Sequence, residues 1–260
     1  MYTFRILFCI VILQFLSGCS LFYRHSNCGY RFETLNKMGW TKTPEDEYSK
    51  KFINFASNHN GWNLEIGAAF GLTARKVVQE GGKIIVNDLD PEHLAIFKHN
   101  IDEKYYSKIK LIDGNLLDID LEDKSIESIL AARVLHMMKG SDIEKAARLM
   151  YRWLKPNGKV FVIAATPYHK TWNKFLPQYE QNLKSDMKFP GEIEDLSYWS
   201  EEMTKYNPSF MHLMDIDILS KVFTDAGFKI EKSGYISCDN RDEDSVHKYK
   251  KGSFGLILRK

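Results

Sequence analysis

From Trp62 onward, short apolar runs alternate with stretches whose apolar residues recur at three- and four-residue spacing. The runs at Trp62–Ile66, 84–86, 109–112, Ile126–Ala132 and 160–165 are bounded by Gly, Asn or Asp and have the length of strands. Between them, Leu72–Gln79, 91–101 and 141–154 carry the helical period. This alternation predicts an α/β domain, a parallel sheet with helices on both faces. Ahead of it, residues 44–58 place Tyr48, Phe52 and Phe55 at helical spacing, with acidic residues in the first turn where the helix dipole favours them.

After residue 165 the rhythm breaks. Residues 166–212 hold four of the seven prolines and nine aromatics, among them Tyr168, Trp172, Phe175 and Trp199. Low-complexity spacers are poor in aromatics, so this segment is expected to pack on the domain as a cap. Residues 215–226 then read as a helix stopped at Gly227, and 228–236 and 253–258 as two closing strands around a polar loop. With 260 residues and 44% hydrophobic content, one α/β domain with a full core is the expected organisation.

The first 22 residues follow a different rule. Residues 4–16 are almost wholly apolar, broken only by Arg5 and Gln14, and run into Leu16-Ser17-Gly18-Cys19. The segment reads as a signal, and its end resembles the lipobox of bacterial lipoproteins, in which the cysteine becomes a lipidated first residue. An uncleaved anchor is the competing reading, because residues 4–23 approach the roughly 20 residues that span a bilayer. Arg24, Arg31, Lys37 and Lys42 follow the stretch, which under the positive-inside rule leaves the domain in the cytoplasm. A third reading starts translation at Met38 and makes the protein cytoplasmic. The expectation is therefore a signal or anchor over 1–22, membrane association through the N-terminus, and a catalytic domain over 38–260.

Charge and cysteine content narrow the chemistry. There are 36 Lys and Arg against 34 Asp and Glu, a formal charge of +2, so nothing favours a nucleic-acid partner. Cys9, Cys19, Cys28 and Cys238 fall into no C-x-x-C or His-interleaved spacing, and no metal is expected.

The strand ending at Ile66 runs into Gly67-Ala68-Ala69-Phe70-Gly71, a turn of mostly small residues opening a helix. Backbone can approach a ligand closely there, with helical amides as donors. Asp88 stands 21 positions after Gly67, at the end of the next strand, where a carboxylate can accept both hydroxyls of a ribose. Counting from Gly67, Ala69 and Leu72 occupy the second and third positions of the dinucleotide fingerprint, which favours an adenosine cofactor without a diphosphate. The bland readings are turn glycines at 67 and 71, and Asp88 as a mere helix cap ahead of Pro91.

Five segments in series, L-E-I-G-A-A-F-G, V-N-D-L-D-P-E-H-L, D-G-N-L-L-D, A-R-V-L-H-M and L-K-P-N-G-K-V-F-V-I, resemble the motifs of class I S-adenosylmethionine-dependent methyltransferases. The resemblance implies a Rossmann-like, doubly wound, seven-stranded sheet with an antiparallel last strand, and S-adenosyl-L-methionine as cofactor. It assigns Glu65 to the methionine amino group, Gly67, Ala69 and Gly71 to the loop, Asp88 to the ribose, Leu89 to the adenine, and Asn115 and Leu116 to closure of the adenine pocket. Arg133 is placed at the same rim. Ala69 stands where many members have glycine, which costs little if its φ is negative, and Asn115 stands where an aspartate is usual.

Methyl transfer from a sulfonium needs in-line alignment more than a dedicated acid or base. His136 and His169 follow strands at the acceptor side and are the candidate bases, with a structural role as the bland reading of each. An aromatic cap favours an enclosed, small-molecule acceptor. The alternatives are a non-catalytic cofactor-binding module, and a protein or RNA methyltransferase.

Overall fold

The computed structural model describes residues 23–25, 29–200, 203, 210–236 and 251–260. The signal or anchor expected over 1–22, including Cys19, lies outside the described residues. No helix among those described is long and apolar enough to cross a membrane.

Chain order begins with a three-stranded antiparallel unit, β1 (Tyr23–His25), β2 (Gly29–Glu33) and β3 (Trp40–Lys42). Helix α1 (Glu47–Ser57) follows, capped by Asp46, whose carboxylate accepts from Ser49 N and Ser49 Oγ. Then come β4 (Trp62–Ile66), α2 (Leu72–Gln79), β5 (Lys83–Asp88), α3 (Pro91–Asn100), β6 (Ile109–Asp113), β7 (Ile126–Ala132), α4 (Gly140–Trp153) and β8 (Leu154–Ala165). The cap contributes α5 (Leu176–Lys184) and a small pair, β9 (Glu192–Ile193) with β10 (Met211–His212). Helix α6 (Ile216–Asp225), β11 (Lys229–Ile236) and β12 (Ser253–Arg259) close the fold.

The main sheet has the order β11-β12-β8-β7-β4-β5-β6. Strand β12 pairs antiparallel with both neighbours, and the other pairs are parallel, as the resemblance implied. Alternate residues feed opposite faces, as the two-residue period of a strand requires. Ile129, Ala131, Val160 and Val162 pack under α4 and α6 with Met150, Trp153 and Phe223. Leu130, Phe161 and Ile163 point the other way, against Tyr48, Phe52, Val77 and Phe97 from α1, α2 and α3. The helix expected over 44–58 thus forms with Tyr48 and Phe52 inward, while Phe55 sits half-buried above Phe161.

The cap has its own apolar centre, in which Trp172, Phe175, Leu176, Tyr179, Ile193, Leu196 and Leu213 pack together. It is tied to the domain where Gly140 N donates to Glu192 Oε1 at 2.6 Å and His212 Nδ1 meets Met138 O at 3.3 Å.

The domain is expected from Met38 onward, and residues ahead of Met38 also carry secondary structure. Residues 29–37 form half of the β2–β3 hairpin, whose turn carries Lys37 at φ 54°, and Leu35 N donates to His93 Nε2 at 3.0 Å. The physical reason is pairing: β3 on its own would leave a row of unsatisfied backbone groups.

Candidate cofactor and acceptor site

The strand order reverses between β4 and β7, and open α/β sheets bind ligands beyond the C-terminal strand ends at such a switch. A cavity of about 420 Å³ lies there, within the range of small-molecule sites. The ends of β4 to β7 form its floor, the β2–β3 hairpin covers it through Arg31, Thr34, Met38 and Trp40, and Met137, Met138, Met203, Met211 and His136 make the far wall.

At the end of β4, Glu65 sits under the N-terminus of α2, where Oε2 accepts from Ala74 N at 2.8 Å. Burial pushes its carboxyl up to about 8, and the bonds from Thr73 and Ala74 offset that only in part. A carboxyl poised in this way gains from a nearby cation, which fits the amino group the resemblance assigns to it.

The loop beyond Glu65 is left-handed at three positions, with Gly67 at φ 61°, Ala69 at 46° and Gly71 at 61°. A Cβ on Gly67 would lie 2.8 Å from Val134 Cγ2, so glycine is needed there for space as well as for conformation. The condition under which alanine would cost little, a negative φ, is not met at Ala69. Its left-handed backbone costs on the order of 1–2 kcal/mol and is held because Ala69 N donates to Asp88 Oδ2 at 2.7 Å. Gly71 does not line the cavity; it stands behind the loop with Phe97 against it.

Asp88 ends β5 at the cavity wall, 6% exposed. Its Oδ1 accepts from Asp90 N at 2.9 Å and lies 3.0 Å from His93 Nδ1, while Oδ2 takes Ala69 N. A carboxylate offers about four lone-pair sites, so the protein fills three. About one site is left for a ribose, against the two hydroxyls of the expectation. Capping of the helix after Pro91 belongs to Asp90, not to Asp88.

Leu89 is 62% exposed at the cavity edge, with a broad apolar face open to an adenine ring. Asn115 lines the cavity and caps the turn Leu116–Asp118, its Oδ1 accepting from Leu117 N at 2.9 Å. The second lone pair of that oxygen remains for one further donor. Leu116 is buried beside it.

On the other side of the switch, Arg133 takes a left-handed backbone at φ 62°, with its N–H donating to Ile163 O. Its Nη2 reaches Asp46 Oδ2 at 3.3 Å and ties the cavity rim to the cap of α1. His136 lines the cavity, and burial with the Arg133 charge depresses its pKa to about 4, so it is a neutral base. Its buried Nδ1 has no hydrogen-bond partner among the described residues. His169 is not brought to the cavity: its Nδ1 accepts from Thr171 N, capping the turn Lys170–Trp172, and its ring lies against Gly252. The expectation of a base there gives way to a capping role.

Sequence reasoning missed the hairpin residues Arg31, Thr34 and Trp40, and missed His93. The signal for the hairpin was present as two short alternating segments flanking the turn Asn36-Lys37-Met38-Gly39. His93, two residues into α3, carries no periodic signal.

The sheet, its one antiparallel strand and the site at the switch have the fold of class I methyltransferases, which use S-adenosylmethionine as cofactor. Residues 64–162 match the family described as a methyltransferase domain. An uncharacterized methyltransferase-like protein of Schizosaccharomyces pombe is 30% identical over 128 residues, which are 47% of this chain and 47% of that one. A demethylmenaquinone methyltransferase of Geobacillus sp. is 25% identical over 215 residues, 82% of each chain. A crystal structure of an S-adenosylmethionine-dependent methyltransferase from Mesorhizobium loti superposes with a TM-score of 0.62 at 13% identity, over 82% of this chain and 98% of that one. The last likeness is one of fold. The chain spans about half the length of the fission-yeast relative it matches.

Proposed function

We propose that the protein transfers the methyl group of S-adenosylmethionine to a small-molecule acceptor held between the hairpin and the methionine-lined wall. The observation that carries this reading is a cavity lined by the β2–β3 hairpin, the strand ends and the cap residues Met203 and Met211, with Glu65, Asp88, Asn115 and His136 among its polar groups. Largely apolar cavities with a few convergent polar groups suit small ligands. The name of the Geobacillus relative supports an acceptor of that size.

The residues present fit the cofactor. Glu65 meets a cation, the remaining site of Asp88 takes one ribose hydroxyl, and Asn115 has one acceptor lone pair for an adenine amino group. When bound, the cofactor supplies an electrophilic methyl on a sulfonium. The chain's own part is alignment and exclusion of water. Where the acceptor atom carries a proton, neutral His136 can accept a hydrogen bond from it, although burial and the Arg133 charge make the ring a weak base.

Calorimetry with S-adenosylhomocysteine tests the cofactor half. Micromolar-range affinity is expected, weakened more than tenfold by Asp88→Ala. Equal affinity in the variant, or tighter binding of NAD, would overturn it. For the acceptor half, methyl-labelled cofactor and a fractionated cell extract should place label in the small-molecule fraction, reduced by His136→Phe without loss of cofactor affinity. Label in protein or RNA instead would sink the small-acceptor reading. The N-terminal segment is proposed as a membrane address, tested by fatty-acid labelling of the wild type against Cys19→Ala.

A further inference from the structure

His93 is 1% exposed and joins two parts of the site through its two ring nitrogens. Nε2 lies 3.0 Å from Leu35 N, in the hairpin that covers the cavity, and Nδ1 lies 3.0 Å from Asp88 Oδ1, on the floor. A backbone N–H only donates, so Nε2 must hold a lone pair. The proton then sits on Nδ1 and is donated to the carboxylate. The ring is steadied by Phe70, edge-on at 5.1 Å. Residues 29–42 form the covering hairpin through β2, β3 and their turn, and Leu35 lies in that turn.

We propose that His93 is a positioning residue that couples closure of the hairpin to the cofactor carboxylate: docking of Leu35 on Nε2 fixes the tautomer and ring angle, and these fix the rotamer of Asp88. The inference rests on the cofactor reading above and adds a direction to it. Cofactor bound at Asp88 holds the hairpin down, and an open hairpin loosens Asp88. Asp88 keeps one acceptor site for the ribose because His93 occupies another, so the same contact shapes both the orientation and the capacity of the carboxylate. By linkage, the coupling must work equally in both directions.

The test uses S-adenosylhomocysteine as the probe and two substitutions that each preserve half of the imidazole. In His93→Asn the side-chain amide reaches the place of Nδ1 and keeps a donor to Asp88, while the acceptor for Leu35 is gone. In His93→Gln the amide reaches the place of Nε2 and keeps an acceptor for Leu35, while the donor to Asp88 is gone. Coupling through one ring predicts that both variants bind about tenfold more weakly than wild type. It also predicts that the probe slows amide exchange at Leu35 by about tenfold or more in wild type and by much less in both variants.

Wild-type affinity in His93→Asn would show that only the Asp88 contact matters and would overturn the coupling. So would a Leu35 amide whose exchange in wild type ignores the probe, a result that stands even if a variant fails to fold. Absence of any binding by wild type would instead overturn the cofactor reading and this inference with it.

Discussion

Replacing Gly71 with alanine separates the two demands the loop makes on that position. The backbone is left-handed at φ 61°, which for a residue with a Cβ costs about 1–2 kcal/mol. The added Cβ would also stand 2.3 Å from Phe97 Cδ2 and 2.7 Å from Phe97 Cγ. Phe97 is fully buried between α3 and the sheet and has no solvent to swing into, so the overlap adds about 1–3 kcal/mol of repacking. Lower entropy of the unfolded alanine chain returns roughly 0.4–1 kcal/mol. The expected net loss is about 3 kcal/mol, a fall in Tm of roughly 6–12 °C for a chain of this size. Gly81 supplies the control, with φ 107° and nothing within 4 Å of an added Cβ, so Gly81→Ala carries only the backbone cost. Urea unfolding of both variants reads the difference directly. A Gly71→Ala loss no larger than the backbone cost of about 1–2 kcal/mol would refute the packing argument. Because Gly71 stands outside the cavity lining, the affinity of the surviving folded protein should change far less than its stability.

Three further outcomes follow from the site. Glu65 is raised from about 4.5 to about 8 in the fold, so it costs stability as pH rises through that window, whereas His136 and His212, depressed from 6.5 to about 4, cost stability as pH falls from 6.5 to 4. Stability measured by urea across pH 4 to 8 should therefore peak near 6.5, with Glu65→Gln flattening the alkaline limb and His212→Phe the acid limb; unchanged limbs would discard these assignments. Binding of S-adenosylhomocysteine at pH 7 should release a proton from Glu65 as an ammonium arrives, seen by calorimetry in buffers of different ionisation enthalpy and absent in Glu65→Gln; buffer-independent heats in the wild type would speak against the cation role. A chain starting at Met38 should fold but bind the cofactor product at least tenfold more weakly, because Arg31, Thr34 and Asn36 line the cavity and Leu35 docks on His93; full affinity would relegate the hairpin to decoration.

The sheet was legible because its signals are local and repeated. Trp62–Ile66 and Leu72–Gln79 have the bounds the pattern implied, and 84–86 and 109–112 lengthen by a residue or two into Lys83–Asp88 and Ile109–Asp113. The cap was legible as an aromatic insertion but not in its internal pairing of β9 with β10, because two-residue strands leave no period. Among site residues, Glu65, Gly67, Ala69, Asp88, Leu89, Asn115, Leu116, Arg133 and His136 all reach the cavity, since each lies at or just beyond the end of a parallel strand and topology gathers those ends. His169 follows a strand end too, yet local hydrogen bonds turn it into a cap, a competition that spacing does not reveal. The sign of φ at Ala69 was equally hidden, because it is imposed by a carboxylate 19 residues away. The hairpin was obscured by its neighbour: an apolar leader-like segment draws every residue before Met38 into the same interpretation.

Strand β12 has a bearing on how the protein is made. It is the latest described strand in the chain, yet it sits inside the sheet, between β8 and β11. During synthesis at about 5–20 residues per second, β8 emerges some ninety residues before its partner and waits with the backbone beside Val160, Val162 and Ala164 unpaired. An apolar strand edge in that condition is a template for pairing with another chain. A nascent chain halted anywhere in 237–252 would carry β8 and β11 with no strand to join them, and chaperone demand or inclusion-body formation should rise steeply for truncations ending just before Ser253.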